Sequence, residues 1–148
     1  RFLTTFSIGS TGYSILEIVW RGYTHWTMSI TGGVCFWLYY LTNRKLARKS
    51  IWERCFCGSA IITSVEFVVG CLVNKVLRLN VWDYSRQRFN LGGQICLLYS
   101  VLWFFLCIPL TYLCKQLSKR ETSEAGWETG ADRGHFAARL FIYVLRRK

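Results

Sequence analysis

The sequence contains no GxxxxGK[ST] phosphate loop, so the chain cannot by itself bind and hydrolyse ATP to drive work. It also lacks an HExxH zinc helix, a nucleophile elbow and a Ser/His/Asp set, the usual hydrolytic arrangements. Glu66 with His25 could be drawn as an intramembrane acid–base pair, but no nucleophile accompanies them. There is no internal repeat and no low-complexity segment. The cysteines at 35, 55, 57, 71, 96, 107 and 114 are odd in number and mostly sit inside apolar stretches. They outline no disulfide framework and read as small apolar packing residues. Cys55-x-Cys57 is not a zinc spacing, and neither a His nor a second Cys pair supports it. No metal and no cofactor is expected. The chain starts at Arg1 and not at Met, which suggests an incomplete copy.

Charge is the scarcest feature over four long stretches. Phe2–Trp20 holds only Glu17, Trp26–Thr42 holds none, Cys55–Asn74 holds only Glu66, and Leu91–Cys114 holds none. Crossing a hydrocarbon layer of roughly 30 Å takes about 20 helical residues. With 52% apolar residues and a mean hydropathy of +0.22, these runs predict an all-α, polytopic membrane bundle of about four transmembrane helices. The expected spans are about 2–20, 26–42, 55–77 and 91–114. The first run lacks a small-x-small cleavage site and is long for a signal-peptide core, so it is read as a helix.

The net charge of +11 invites a nucleic-acid reading, but the basic residues cluster at the ends of the apolar runs and build no basic face. A lipid bilayer, and no nucleic acid, is the expected environment. Arg44, Lys45, Arg48, Lys49 and Arg54 crowd the loop between the second and third runs, whereas Arg21 is the one basic residue of the first loop. Lys and Arg concentrate in cytoplasmic loops, so both termini are expected in the cytoplasm of a cell (plasma) membrane protein. Trp20, Tyr23 and Trp26, then Trp82 and Tyr84, then Tyr39, Tyr40 and Trp52 flank the loops, as expected of rings at headgroup level. Residues 1–115 form the expected bundle. Residues 116–148 are polar and Gly-bearing up to Gly134, then apolar over Phe136–Leu145. They read as a flexible cytoplasmic tail, either disordered or ending in a short interfacial helix.

Glu66 is the sharpest candidate. A carboxylate at mid-membrane costs at least about 2.5 kcal/mol, so it must face inward and be paired or uncharged. Thr63, Glu66, Gly70 and Asn74 recur at helical spacing and mark one inward face. With no Lys or Arg in the run before Lys75, the expectation is an uncharged carboxyl that donates a hydrogen bond within the bundle. It serves either a substrate or ion site or the contact between two helices. Glu17 and Arg21, at i and i+4, pair on one helix face as a vestibule or an interfacial ion pair. Between the third and fourth runs, Asp83 and Ser85 are turn formers. Asn90 is placed to cap the fourth helix, and Gly92 and Gly93 allow close approach or a broken helix start. This loop is expected to dip back into the bundle.

Val81-Trp82-Asp83-Tyr84-Ser85, followed by Phe89-Asn90 and Gly93-Gln94-Ile95-Cys96-Leu97, resembles the bacterial membrane family called Putative ABC-transporter type IV. Leu16-Glu17, Trp20-Arg21-Gly22-Tyr23 and Ser64-Val65-Glu66-Phe67 resemble its upstream helices, so the likeness covers about residues 10–115. It implies a permease-like transport component and points to Glu17, Glu66, Trp82, Asp83, Tyr84, Phe89, Asn90 and Gln94. Together with Arg21 and Asn74, these give the candidate substrate-binding set Glu17, Arg21, Glu66, Asn74, Trp82, Asp83, Tyr84, Asn90 and Gln94. A separate ATPase subunit or a homo-oligomer is the implied partner. The competing class is a membrane scaffold, a sensor or an intramembrane enzyme acting on lipid.

Overall fold

A computed structural model describes the backbone of residues 1–145 and the side chains of residues 1–123. Among the described residues there are four α-helices: α1 (Phe2–Arg21), α2 (Trp26–Lys45), α3 (Ile51–Gly70) and α4 (Leu97–Leu145). A π-helical turn, Cys71–Val76, extends α3, and a two-stranded antiparallel hairpin, β1 (Asn90–Leu91) and β2 (Ile95–Cys96), precedes α4. The all-α class is as the uncharged runs predict. Ile51–Val76 and Leu97–Ser123 are, by length and composition, long and apolar enough to cross a membrane. Large apolar side chains such as Val19, Phe56, Val68 and Phe105 cover the outside, a surface that fits lipid better than water.

Each boundary has a local cause. α1 ends at Gly22, whose φ of 81° supplies the left-handed cap that residues with a Cβ adopt at a cost. His25 opens α2, its ring accepting from the Thr27 amide. Ser50 and Glu53 form a reciprocal capping box at the start of α3. Arg54, one of the basic residues expected in the loop between the second and third runs, is buried, and its guanidinium donates to the carbonyls of Leu46 (2.9 Å) and Asn43 (3.2 Å). It thus serves the orphan carbonyls at the end of α2.

α1 and α2 pack through small residues. Ser10 Oγ donates to the Ser29 carbonyl at 2.7 Å, and the Ser14 and Ser29 hydroxyls lie 2.6 Å apart. Removing large side chains lets the backbones meet, which substitutes for the hydrophobic effect where lipid is the solvent. Deeper in the bundle, the Tyr39 hydroxyl meets Thr111 Oγ1 at 2.6 Å and donates to the Cys107 carbonyl at 3.3 Å. Tyr39 and Tyr40 are therefore core residues; the expectation that they flank the inner loop at headgroup level is corrected.

Two further expectations change. Leu91–Cys96 belongs to the hairpin, so α4 starts at Leu97. Gly92 and Gly93 hold φ of 58° and 70°, values that interrupt a helix at once. At the other end, α4 continues to Leu145 through the stretch expected to be a flexible tail. Good helix formers such as Glu, Lys, Arg and Ala outnumber the glycines there. Residues 113–148 form a compact unit separate from residues 1–112; of the expected tail, only 146–148 lie outside the described residues.

A Cβ at Gly9 would sit 2.5 Å from Phe36 Cβ and 2.6 Å from the Gly32 carbonyl oxygen. Gly9→Ala is therefore expected to lower stability by about 1–3 kcal/mol, the usual cost of overpacking. Thermal unfolding in detergent, followed by a thiol-reactive fluorophore that reports exposure of buried cysteines, measures this. An unchanged melting temperature would show that α1 and α2 do not meet at Gly9.

Candidate functional site

The loop between α3 and α4, residues 77–96, is built on α3. The π-helical turn places buried Asn74 beneath it, and Asn74 works in two directions: its Oδ1 accepts from the Val81 amide at 2.7 Å and its Nδ2 donates to Gln94 Oε1 at 2.9 Å. Gln94 completes the knot, its carbonyl accepting from the Trp82 indole at 2.9 Å and its Nε2 donating to the Gly92 carbonyl at 3.2 Å. Val81 and Trp82 then pack with Met28 and Val73 as a buried cluster. The loop does dip inward, and its polar backbone is satisfied by side chains where no regular structure is available.

The far side of the loop is closed by Asn90, whose Nδ2 donates to the carbonyls of Gln87 (2.7 Å) and Ser85 (3.2 Å) while its Oδ1 accepts from the Gly93 amide at 3.1 Å. Asn90 thus clamps the loop and is not the cap of α4, which begins later. Asp83 accepts from the Ser85 amide and hydroxyl, each at 2.9 Å. These bonds, the amide first, hold its carboxyl below the ordinary Asp range. Burial raises the Tyr84 phenol, which stacks on Tyr99 at 4.6 Å.

Beneath this roof lies a cavity of about 410 Å³. α1 contributes Tyr13, Leu16, Glu17, Trp20 and Arg21; the loop contributes Trp82, Asp83 and Tyr84; α4 contributes Tyr99, Leu102, Trp103 and Leu106. Glu17 and Arg21 pair at 3.0 Å as their spacing predicts, and Thr24 Oγ1 donates to the second Glu17 oxygen at 2.9 Å. Arg21 also donates to the Tyr23 hydroxyl (2.9 Å) and, at 2.8 Å, to the Val81 carbonyl, which ties α1 to the loop.

Five of the nine candidate residues, Glu17, Arg21, Trp82, Asp83 and Tyr84, are brought together on this wall. Asn74, Asn90 and Gln94 shape the roof without lining the cavity. Glu66 is buried one layer behind: Trp103, which does line the cavity, donates its indole N–H to Glu66 Oε2 at 2.8 Å. The expected inward-facing stripe of Thr63, Glu66, Gly70 and Asn74 is observed, with Thr63 meeting the Ser100 hydroxyl at 3.0 Å. In the Trp103 bond Glu66 Oε2 accepts, as one oxygen of an uncharged carboxyl does while the other carries the proton. Sequence pattern does not single out Tyr13, Tyr99 or Trp103. Their signal is helical spacing, Tyr13 with Glu17 and Tyr99 with Trp103, each at i and i+4.

The model of the family described as Putative ABC-transporter type IV matches residues 5–144. The chain belongs to this family. The match runs beyond the 10–115 of the resemblance and takes in the segment after residue 115, which is therefore part of the family's pattern. No curated protein and no solved structure matches the chain. Membership makes this an ABC-transporter-related protein, and its two membrane-capable helices fit that class.

Glu66→Gln keeps an acceptor for Trp103 and is expected to fold with parental stability. Glu66→Leu strands a buried indole N–H and should cost about 1 kcal/mol, the scale of an intramembrane hydrogen bond. Thermal unfolding of both variants decides; a Leu variant as stable as the parent would remove Glu66 from the supporting layer. The Asp83 turn has its own pH signature. A carboxyl held low in the folded state contributes above its unfolded value, and that contribution is lost as pH falls through the folded value. Amide exchange at Ser85 should therefore stay protected at pH 5 relative to an Asp83→Ala variant, and equal protection in the two would contradict the turn.

Proposed function

We propose that the chain is a permease-like component of a transporter in a bacterial cell membrane, and that the cavity beneath the outer loop is its substrate-binding site. The observation that carries this reading is the half-open cavity itself, lined by α1, the loop and α4, and holding five residues singled out by sequence pattern. In this reading all four helices span the membrane with both termini cytoplasmic. The 20-residue α1 and α2 are each about 30 Å long, enough for the hydrocarbon layer. Residues 1–115 are the transmembrane bundle and 116–148 the cytoplasmic segment.

The roles divide by position. Glu17, Arg21, Trp82, Asp83 and Tyr84 contact substrate. Asn74, Asn90 and Gln94 hold the roof that carries three of those side chains. Glu66 orients Trp103. The chain has no phosphate loop, so ATP hydrolysis is the task of a separate ATPase subunit; a homo-oligomer is the alternative assembly. The lipid bilayer is the third partner and nucleic acid is none.

Two measurements test this. Affinity capture of the tagged chain from its native membrane, followed by mass spectrometry, is expected to recover an ATPase subunit; recovery of the chain with no ATPase at any yield contradicts the transporter assignment. Thiol labelling of intact cells is expected to modify Gln87→Cys from outside and to spare Ala47→Cys, in a background without the native cysteines. Both positions are exposed and neutral, so neither disturbs the core nor the charge bias. Labelling of position 47 from outside would invert the topology.

A further inference from the structure

The cavity wall has a chemical bias that a general apolar site does not need. Tyr84 stacks on Tyr99 at 4.6 Å, Tyr99 stands 6.3 Å from Trp103, and Trp103 stands 5.9 Å from Tyr13. The rings form one continuous wall from the loop to α1, with Trp20 and Trp82 also facing the cavity. Aromatic faces carry negative electrostatic potential and attract cations, most strongly where water is excluded.

The charged groups at the mouth reinforce this. Arg21 uses three of its five N–H groups on Glu17, the Tyr23 hydroxyl and the Val81 carbonyl, and its charge is matched by the Glu17 carboxylate at 3.0 Å. Glu17 and Arg21 cancel, which leaves Asp83 as the uncompensated charge of the lining. Asp83 is exposed, and each of its oxygens accepts only one bond, from Ser85, so lone pairs remain on both. Arg86, the nearby cation acting on Asp83, exerts the smallest of the influences on that carboxyl and does not line the cavity. The volume is near the lower end of ligand pockets, which run from about 300 to 1,000 Å³.

We infer that the cavity binds an organic ammonium with an apolar body, its cation between Asp83 and the Tyr84–Tyr99–Trp103 wall and its body against Leu16, Leu102 and Leu106. This rests on the permease reading for its meaning as a substrate class, but binding can be measured without transport. The same chemistry is offered by a water-borne lipophilic amine and by the headgroup of an amine-bearing lipid.

The test uses the full chain in dodecyl maltoside, which carries no ammonium. Benzyltrimethylammonium and benzylsulfonate, similar in size and opposite in charge, are titrated against tryptophan fluorescence, since Trp20, Trp82 and Trp103 face the cavity. Saturable binding of the ammonium is expected, with the sulfonate at least about tenfold weaker. Asp83→Asn keeps the Ser85 amide bond and removes the charge; Tyr99→Leu removes one ring. Each should weaken ammonium binding by about tenfold, with Asp83→Asn still unfolding in one cooperative transition. Equal or tighter binding of the sulfonate overturns the inference, as does no saturable ammonium binding by the folded chain, or Asp83→Asn with parental affinity. In lipid discs of equal surface charge, weaker ammonium binding with phosphatidylethanolamine than with a neutral amine-free lipid in its place identifies the lipid headgroup as the occupant. Equal affinity in the two identifies the water-borne cation, and either result sustains the site. Failure to bind ammonium leaves the permease reading standing, and failure to capture an ATPase leaves the binding result standing.

Discussion

Much of the architecture depends on one paired-amide knot, Asn74 with Gln94. These two side chains come from opposite ends of the loop between α3 and α4, one on the π-helical turn after α3 and one in the hairpin before α4. Their 2.9 Å bond closes the loop at its base. The remaining polar atoms of the two side chains then secure the Val81 amide and the Gly92 carbonyl, and the Gln94 main chain receives the Trp82 indole. Buried polar groups of this kind are costly singly and rigid when every partner is present. A wider turn is what sets Asn74 at the required place, in keeping with the frequent occurrence of π-turns at functional sites.

From the knot outward, the order of dependence is clear. Trp82 is pinned, so Asp83 and Tyr84 project over the space between α1 and α4. Arg21 reaches the Val81 carbonyl and fastens α1 to the same loop. Tyr84 meets Tyr99, and the aromatic wall continues to Trp103, itself held from behind by Glu66. The deep carboxyl and the surface loop, separate features of the sequence, thus act on one cavity. Glu66 is buried, and it accepts from the indole of Trp103, which lines the cavity. At the other end of the bundle, small residues and the Tyr39–Thr111 bond hold the helices together.

The helices α1 to α3 are legible in the sequence because a membrane-length stretch without charge suits little besides a buried or lipid-facing helix. The Glu17–Arg21 pair and the inward stripe through Glu66 and Asn74 follow from helical spacing alone. The start of α4 is not legible, because Leu91-Gly92-Gly93-Gln94-Ile95-Cys96 is as free of charge as the helix after it. Two positive φ angles and the Asn90 clamp decide it, and neither is visible in composition. The aromatic residues mislead for a related reason. A Tyr near a loop suits the headgroup level and the bundle interior equally, and only the presence of Thr111 and the Cys107 carbonyl across the helix pair puts Tyr39 inside. The cavity wall of Tyr99 and Trp103 depends on three segments distant in sequence, so no local pattern assembles it.

The central claim is that the Asn74–Gln94 knot holds the loop between α3 and α4 as the roof of the cavity. Hydrogen–deuterium exchange on the parent chain and on Gln94→Leu tests it most directly. The account predicts that the Val81 amide and the Trp82 indole, slow to exchange in the parent, become fast in the variant along with the rest of residues 81–90, while α2 and α3 keep their protection. Unchanged protection of the loop in Gln94→Leu would contradict it.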